Sequence, residues 1–421
     1  MNKFITFVLT SLLLSNLFLS RSMAQEVITW QGCVKEAAGN HPDLISAEES
    51  LKQSEVSKKI TASSLLPQIN SNLDASSAKA AGKTTETYRY GISGSQLLFD
   101  GFKTVDNLKA AEENIKAAKY NYRFTSSEVR FRLRTAFVNV LKAQELLNIT
   151  QEIYNIRRSN FELISLRYES GLEHKGALLN AQANLSEAEF EISQAKRALE
   201  VAQRELNKEM GKTQFLALRV EGAFKVGNAA LEKPDFEALA DKNPSLGKLI
   251  AQKNAASFGI KAAKANFLPE LSAQAGANKN SSHWPPEDSQ WNTGLTLSFP
   301  LFEGGLRLAQ VDQAKSLFNQ AQANERGTRD SIILALEQSW ASLQDAVETT
   351  EVQKKFLDAA EERAKISEAQ YSLGLIQFDN WTIIEDNLVS AKKAYLAAQA
   401  NALLAEANWV QAKGETLEYA D

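Results

Sequence analysis

The sequence predicts a mainly α fold with a membrane β-barrel contribution: two copies of a long helical hairpin, four β-strands in all. Three observations predict it. The chain repeats itself at a nearly constant offset, its prolines leave four long stretches free for helix, and four short stretches alternate apolar with polar residues behind an export signal.

The repeat comes first because self-similarity identifies architecture before any secondary structure is assigned. Asn40-His41-Pro42-Asp43-Leu44 recurs as Lys242-Asn243-Pro244-Ser245-Leu246, and Leu66-Pro67 recurs as Leu268-Pro269, both 202 residues later. The offset then becomes 203: Leu98-Phe99-Asp100-Gly101 returns as Leu301-Phe302-Glu303-Gly304, YESGL (168–172) as YSLGL (371–375), and Asn184-Leu185 as Asn387-Leu388. Gly211 and Gly414 close the copies, which span 25–211 and 242–414, joined by a linker at 212–241 and followed by a tail at 415–421.

A helix interior loses about 3 kcal/mol or more to a proline, and all 8 prolines avoid the four long segments. Phe102 to Ser170 holds neither Gly nor Pro, and Leu306 to Leu373 holds only Gly327. As helices they extend about 100 Å. Apolar or small residues recur every seventh position at Leu108, Ile115, Tyr122, Val129, Ala136 and Ala143, and again at Leu336, Leu343, Leu357, Ala364 and Tyr371, with Thr350 interrupting. Such a stripe is a coiled-coil seam. Asp43 to Leu65 with Leu172 to Met210, and Ser245 to Phe267 with Leu375 to Lys413, have the combined lengths needed to flank a long helix end to end. Gly171 and Gly374 fall at the hairpin tips, where a left-handed residue ends a helix.

The first 24 residues read as a secretory signal: Lys3, an apolar run from Phe4 to Leu19, and a small-residue cut site at Ser22-Met23-Ala24. Losing Lys3 and Arg21 takes the net charge from −4 to −6, a mildly acidic exported chain without the basic field that nucleic-acid binding requires. Cys33 is the single cysteine, so no internal disulfide forms; it follows Trp30-Gln31-Gly32, a poor context for a lipid anchor, and reads as a buried helix thiol. Past the signal no apolar run approaches the roughly 20 residues of a spanning helix, so any membrane crossing uses strands.

Strands are expected at about 67–76, 87–98, 269–278 and 290–301, where Ile69, Leu73, Tyr88, Tyr90 and Ile92, and above all Trp291, Leu295, Leu297 and Phe299, alternate with polar residues. The pattern alone fits a soluble hairpin capping a coiled coil equally well; the export signal and the missing helical span favour a barrel whose lipid side carries those four residues. Four strands cannot close a barrel, so their edges pair with other copies, two giving eight strands and three giving twelve. The loops Ser76 to Glu86 and Lys279 to Ser289 are then external.

In combination these residues resemble the TolC-like outer-membrane efflux family over nearly the whole mature chain. The marks are Ile28-Thr29-Trp30 leading to Asn40-His41-Pro42-Asp43-Leu44, the Leu66-Pro67 entry, the Leu98-Phe99-Asp100-Gly101 exit and the YESGL tip, with their second copies. The resemblance implies a homotrimer in the outer membrane of a Gram-negative bacterium, with one trimeric 12-stranded barrel and a helical tube across the periplasm. It also implies a periplasmic adaptor protein and an inner-membrane pump as partners. The tips Tyr168, Gly171, Leu172, Tyr371, Gly374 and Leu375 correspond to adaptor contacts. Where the family often carries aspartates lining a closed periplasmic aperture, Asn380 and Ile383 stand; Asp379, Glu385 and Asp386 are the nearby carboxylates.

No GxxxxGK[ST], GxSxG or HExxH occurs, and His41, His174 and His283 are too scattered for one metal site within a protomer. Three symmetric copies of His174 are the remaining histidine geometry. We expect no enzyme and no cofactor: a passive exit duct for tripartite efflux or type I secretion. The alternatives are a periplasmic adaptor, which normally carries one hairpin rather than two, and a coiled-coil envelope scaffold.

Overall fold

The computed structural model describes residues 26–226 and 233–419; the expected signal peptide and Gly227 of the linker lie outside them. The first copy runs β1 (Glu26–Thr29), α1 (Trp30–Asn40), α2 (Pro42–Ser63), β2 (Gln68–Ala80), β3 (Lys83–Phe99), α3 (Lys103–Glu169) and α4 (Lys175–Glu209). A link holding β4 (Leu218–Glu221) and α5 (Phe236–Lys242) leads to α6 (Pro244–Ala265), β5 (Glu270–Ser281), β6 (Asp288–Ser298), α7 (Leu306–Ser372) and α8 (Phe378–Ala412), before a 3-10 turn at Leu417–Tyr419.

The duplicated His-Pro and Asn-Pro motifs are helix starts. His41 Nδ1 accepts the Asp43 N–H at 3.1 Å and Asn243 Oδ1 accepts that of Ser245 at 2.9 Å, each followed by a proline in the first turn. Each break meets the end of its own copy. His41 Nε2 faces Glu209 Oε2 at 3.4 Å, and Asn243 donates to the Ala412 carbonyl at 3.0 Å. Because His41 Nδ1 accepts a backbone N–H, Nε2 carries the proton. Burial alone would push Glu209 up, but hydrogen bonds from Lys208 and His41, with the Lys208 and Arg132 charges, hold it below the ordinary carboxylate range. Arg132 also binds Asp43, so one guanidinium ties the start of α2 to the end of α4.

Helices of 67 residues hold together by burying seams rather than by propensity. Val129, Ala136 and Ala143 are buried, as are Leu336, Leu343, Leu357, Ala364 and Tyr371. Thr350, where the stripe breaks, donates to its own helix at Ala346 (2.9 Å) and across to the Ala398 carbonyl of α8 (3.2 Å). A stripe not anticipated is made of alanines: Ala181, Ala188, Ala195 and Ala202 on α4, buried at seven-residue spacing, let α4 approach α3 closely. Helices α2 and α4 pack along α3, while α6 and α8 pack between α3 and α7. The result is a wall in the order α2/α4, α3, α6/α8, α7.

The strands are antiparallel in the order β2-β3-β5-β6. They differ from expectation at their external ends: the ladder runs on through Ser77↔Glu86 and Ala80↔Lys83, so the expected loop from Ser76 to Glu86 shrinks to Ala81-Gly82, both at positive φ. That backbone is the tight hairpin turn whose twist matches the flanking strands. The polar composition of the segment hid this, because ladder hydrogen bonds rather than side chains hold it. The second loop shortens to 282–287, and the last strand stops at Ser298, which leaves Phe299 and Leu301 beyond it.

Register gathers the alternation onto common faces. Across the sheet Ser71, Ile92, Ala277 and Trp291 share a row, as do Leu271 with Leu297 and Ala273 with Leu295. The opposite face is mostly amides, hydroxyls and glycines, with charged residues near its two ends. A Cβ on Gly91, on that polar face, would come within 2.7 Å of Asn278 Cβ, whereas at Gly94 on the apolar face the nearest atom is 3.8 Å away.

A second sheet, absent from the sequence expectation, pairs β1 with β4 in parallel. Beside it the largest core gathers Ile28, Cys33, Leu133, Phe137, Leu206, Met210 and Leu218. Burial pushes the Cys33 thiol up to about 12, which makes it inert.

Candidate functional site

The two hairpin tips are built alike. Leu172 N–H donates to the Arg167 carbonyl and Leu375 N–H to the Gln370 carbonyl, both at 2.8 Å, while Gly171 and Gly374 take φ of 70° and 76°. These are Schellman turns. Nothing surrounds a Cβ placed on either glycine, and Leu172 and Leu375 are 68% and 70% exposed.

The two tyrosines part company. Tyr168 is partly exposed, but Tyr371 is buried and leaves the expected contact set. Its ring stacks on Trp381 at 4.4 Å, lies under the Arg167 guanidinium at 4.9 Å, and its hydroxyl donates to Glu173 Oε2 at 2.9 Å. Arg167 and Glu173 belong to the first hairpin, so Tyr371 fastens the second hairpin to it. Ile164, Ala177, Ala181 and Phe378 complete this core. The seven-residue stripe already contained Tyr371, and that was the available signal for its burial.

Helix phase also divides the expected aperture residues. Asp379, Asn380, Ile383 and Asp386 are exposed on one side of α8, whereas Glu385 turns inward beside Trp381. Asp386 pairs with Arg157 of α3. Burial raises the Glu385 carboxyl; Arg157 on α3 opposes this, and Glu368 on α7 with Asp386 on α8 add to it. The folded junction therefore binds protons more readily than the open chain, so its stability is greatest in mild acid and falls as pH rises through the Glu385 titration. Glu385→Gln is expected to raise the melting temperature more at pH 8 than at pH 5, measured by calorimetry; an equal gain at both would contradict the assignment.

Trp291, Leu295 and Leu297 stand on one face of β6 at 79%, 70% and 66% exposure, and Phe299 follows just past its end, also exposed. Trp291 and Leu295 have the small Ala277 and Ala273 of β5 as row partners, and Leu297 has Leu271. Among the described residues no helix is long and apolar enough to cross a membrane, and no cluster of His, Cys, Asp and Glu suits a metal ion.

Known proteins share this fold. Outer membrane efflux protein BepC of Brucella suis biovar 1 (strain 1330) is 23% identical over 351 residues, covering 80% of this chain and 75% of its own. Crystal structures of CusC superpose with a TM-score of 0.80 at 19% identity, covering 91% of each chain. The open state of the Neisseria gonorrhoeae MtrE outer membrane channel gives 0.80 at 18% identity, covering 92% of this chain and 89% of that one. The sequence pattern of the outer membrane efflux protein family matches residues 33–212 and 237–415, one stretch in each repeat. The adaptor and scaffold alternatives fall with that match: this chain belongs to the outer membrane efflux protein family.

Proposed function

We propose that the outer-membrane exit duct this chain forms is assembled from three copies, with twelve strands in the membrane and a helical tube continuing into the periplasm. One observation carries the proposal. The sheet order β2-β3-β5-β6 and the wall order α2/α4, α3, α6/α8, α7 are the same order, since β2 follows α2, β3 leads into α3, β5 follows α6 and β6 leads into α7. Both layers are therefore open at the same two ends. The helical ends also expose apolar residues, Val56 and Ile60 on α2, Phe190 on α4, and Leu334 and Phe356 on α7. Joining the first edge of one copy to the last edge of the next is a head-to-tail contact, which closes when the rotation fits a ring.

In that assembly the polar face lines the bore, and Trp291, Leu295, Leu297 and Phe299 meet lipid. The tips carrying Tyr168, Gly171, Leu172, Gly374 and Leu375 point away from the membrane and offer leucines to a periplasmic adaptor, which couples the duct to an inner-membrane pump. Asp379, Asn380, Ile383 and Asp386 lie nearest the periplasmic opening. The pump supplies the energy, and the duct conducts.

Leu297→Arg tests the facing. Leu297 lies one residue from the inner end of β6, so a cation there on the lipid side is expected to cost about 1 kcal/mol of insertion, less than at mid-bilayer, read as a reduced amount of assembled protein in purified outer membranes. Undiminished yield would contradict the lipid-facing assignment.

A further inference from the structure

We infer that a single charged row at the external mouth of the barrel, centred on Arg89, sets the cation-versus-anion preference of the duct. The inference rests on the barrel proposed above, with the polar face toward the bore.

Register defines the row. Asp74 pairs with Arg89, Arg89 with Asn280, and Asn280 with Asp288, so the four lie side by side across β2, β3, β5 and β6 on the polar face. From Glu270 at the opposite end up to this row, every bore-facing position in the ladder is an amide, a hydroxyl, a glycine or Leu97. Lys83 sits beyond the row, at the hairpin turn. The row lies at the external membrane boundary: on the lipid side of the same level stand Tyr88 and Tyr90, with Trp284 packed edge-on against both rings at 6.2 and 6.4 Å. Aromatic residues of this kind mark the interface of membrane barrels.

The groups are free to act on ions. Among the described residues Arg89 enters no ion pair, and Asp74 accepts the Asn72 amide at 2.7 Å. Each copy brings two carboxylates and one guanidinium to the row, a net charge of −1, and three copies make an acidic ring. Twelve strands about 4.8 Å apart and tilted about 40° close at a backbone radius of about 12 Å. Side chains narrow the bore further, to less than the roughly 10 Å screening length at 0.1 M salt. An ion on the axis therefore feels the ring, and no competing charge lies along the amide-lined bore between it and Glu270.

Reversal potentials in planar bilayers under a KCl gradient near 0.1 M test this, on full-length purified protein. Wild type is expected to prefer K+, Arg89→Gln to shift the potential further in that direction, and the double variant Asp74→Asn with Asp288→Asn to shift it in the opposite direction. Gln274→Asn, deeper in the bore, is expected to leave it unchanged. Channels that open in all variants with one common reversal potential overturn the row while leaving the barrel intact. A wild-type protein that forms no channels removes the barrel itself, and the inference with it.

Discussion

Gly211→Ala is expected to destabilise the protein by about 3–5 kcal/mol, enough to deplete the assembled form. Two effects add there. Gly211 holds φ at 73°, in the left-handed region, and a Cβ would lie 2.3 Å from the Asn40 carbonyl oxygen and 2.5 Å from its carbon. Both clashing atoms are backbone at the break before α2, so no side chain can rotate away. The same break carries the His41 cap and, through Glu209 and Arg132, the joint between α2 and α4. Gly414 repeats the arrangement against Pro244. Gly171→Ala is the control: its φ is 70° but nothing lies within 4 Å, so only the backbone cost of about 1 kcal/mol applies. Urea unfolding followed through the aromatic residues measures both. Equal losses would show that the contact with Asn40 contributes nothing.

Leu375→Asp is expected to abolish efflux while trimers still reach the outer membrane. Leu375 is 70% exposed, and the tip is held by backbone hydrogen bonds that the side chain does not enter. Folding therefore loses little, whereas an apolar contact with the adaptor would gain a buried, unpaired charge. Tyr371→Ala should behave in the opposite way. It removes the stacking on Trp381 and the bond to Glu173, so the junction between hairpins loosens before any partner arrives. Drug tolerance together with trimer yield separates the two. Normal tolerance in Leu375→Asp would remove Leu375 from the adaptor surface.

The long helices were legible because proline and glycine punctuate the chain and the seven-residue stripe marks the buried side. The strands were legible in their apolar halves only; the outer ends of β2 and β3 are polar, and the backbone ladder that extends them leaves no side-chain pattern. The pairing of β1 with β4 left no signal either, since four-residue strands so distant in sequence have no detectable period. The resemblance misled at Tyr371: it puts both tip tyrosines among the contacts, yet Tyr168 is partly exposed and Tyr371 buried, because the second hairpin alone brings Trp381 and Phe378 beneath the ring. Glu385 was misplaced for a related reason. Charge suggested an exposed carboxylate, while the positions Trp381, Glu385 and Leu388, spaced at one helical turn, share the buried side of α8.

The central claim is that the open edges of sheet and wall close by joining copies into a membrane duct. The mass of the detergent-solubilised oligomer, taken with its single-channel conductance in planar bilayers, tests this most directly. The account predicts a trimer that inserts and conducts, with small, flickering currents while the periplasmic tips are closed. A monomer that remains in the aqueous phase and carries no current would contradict it.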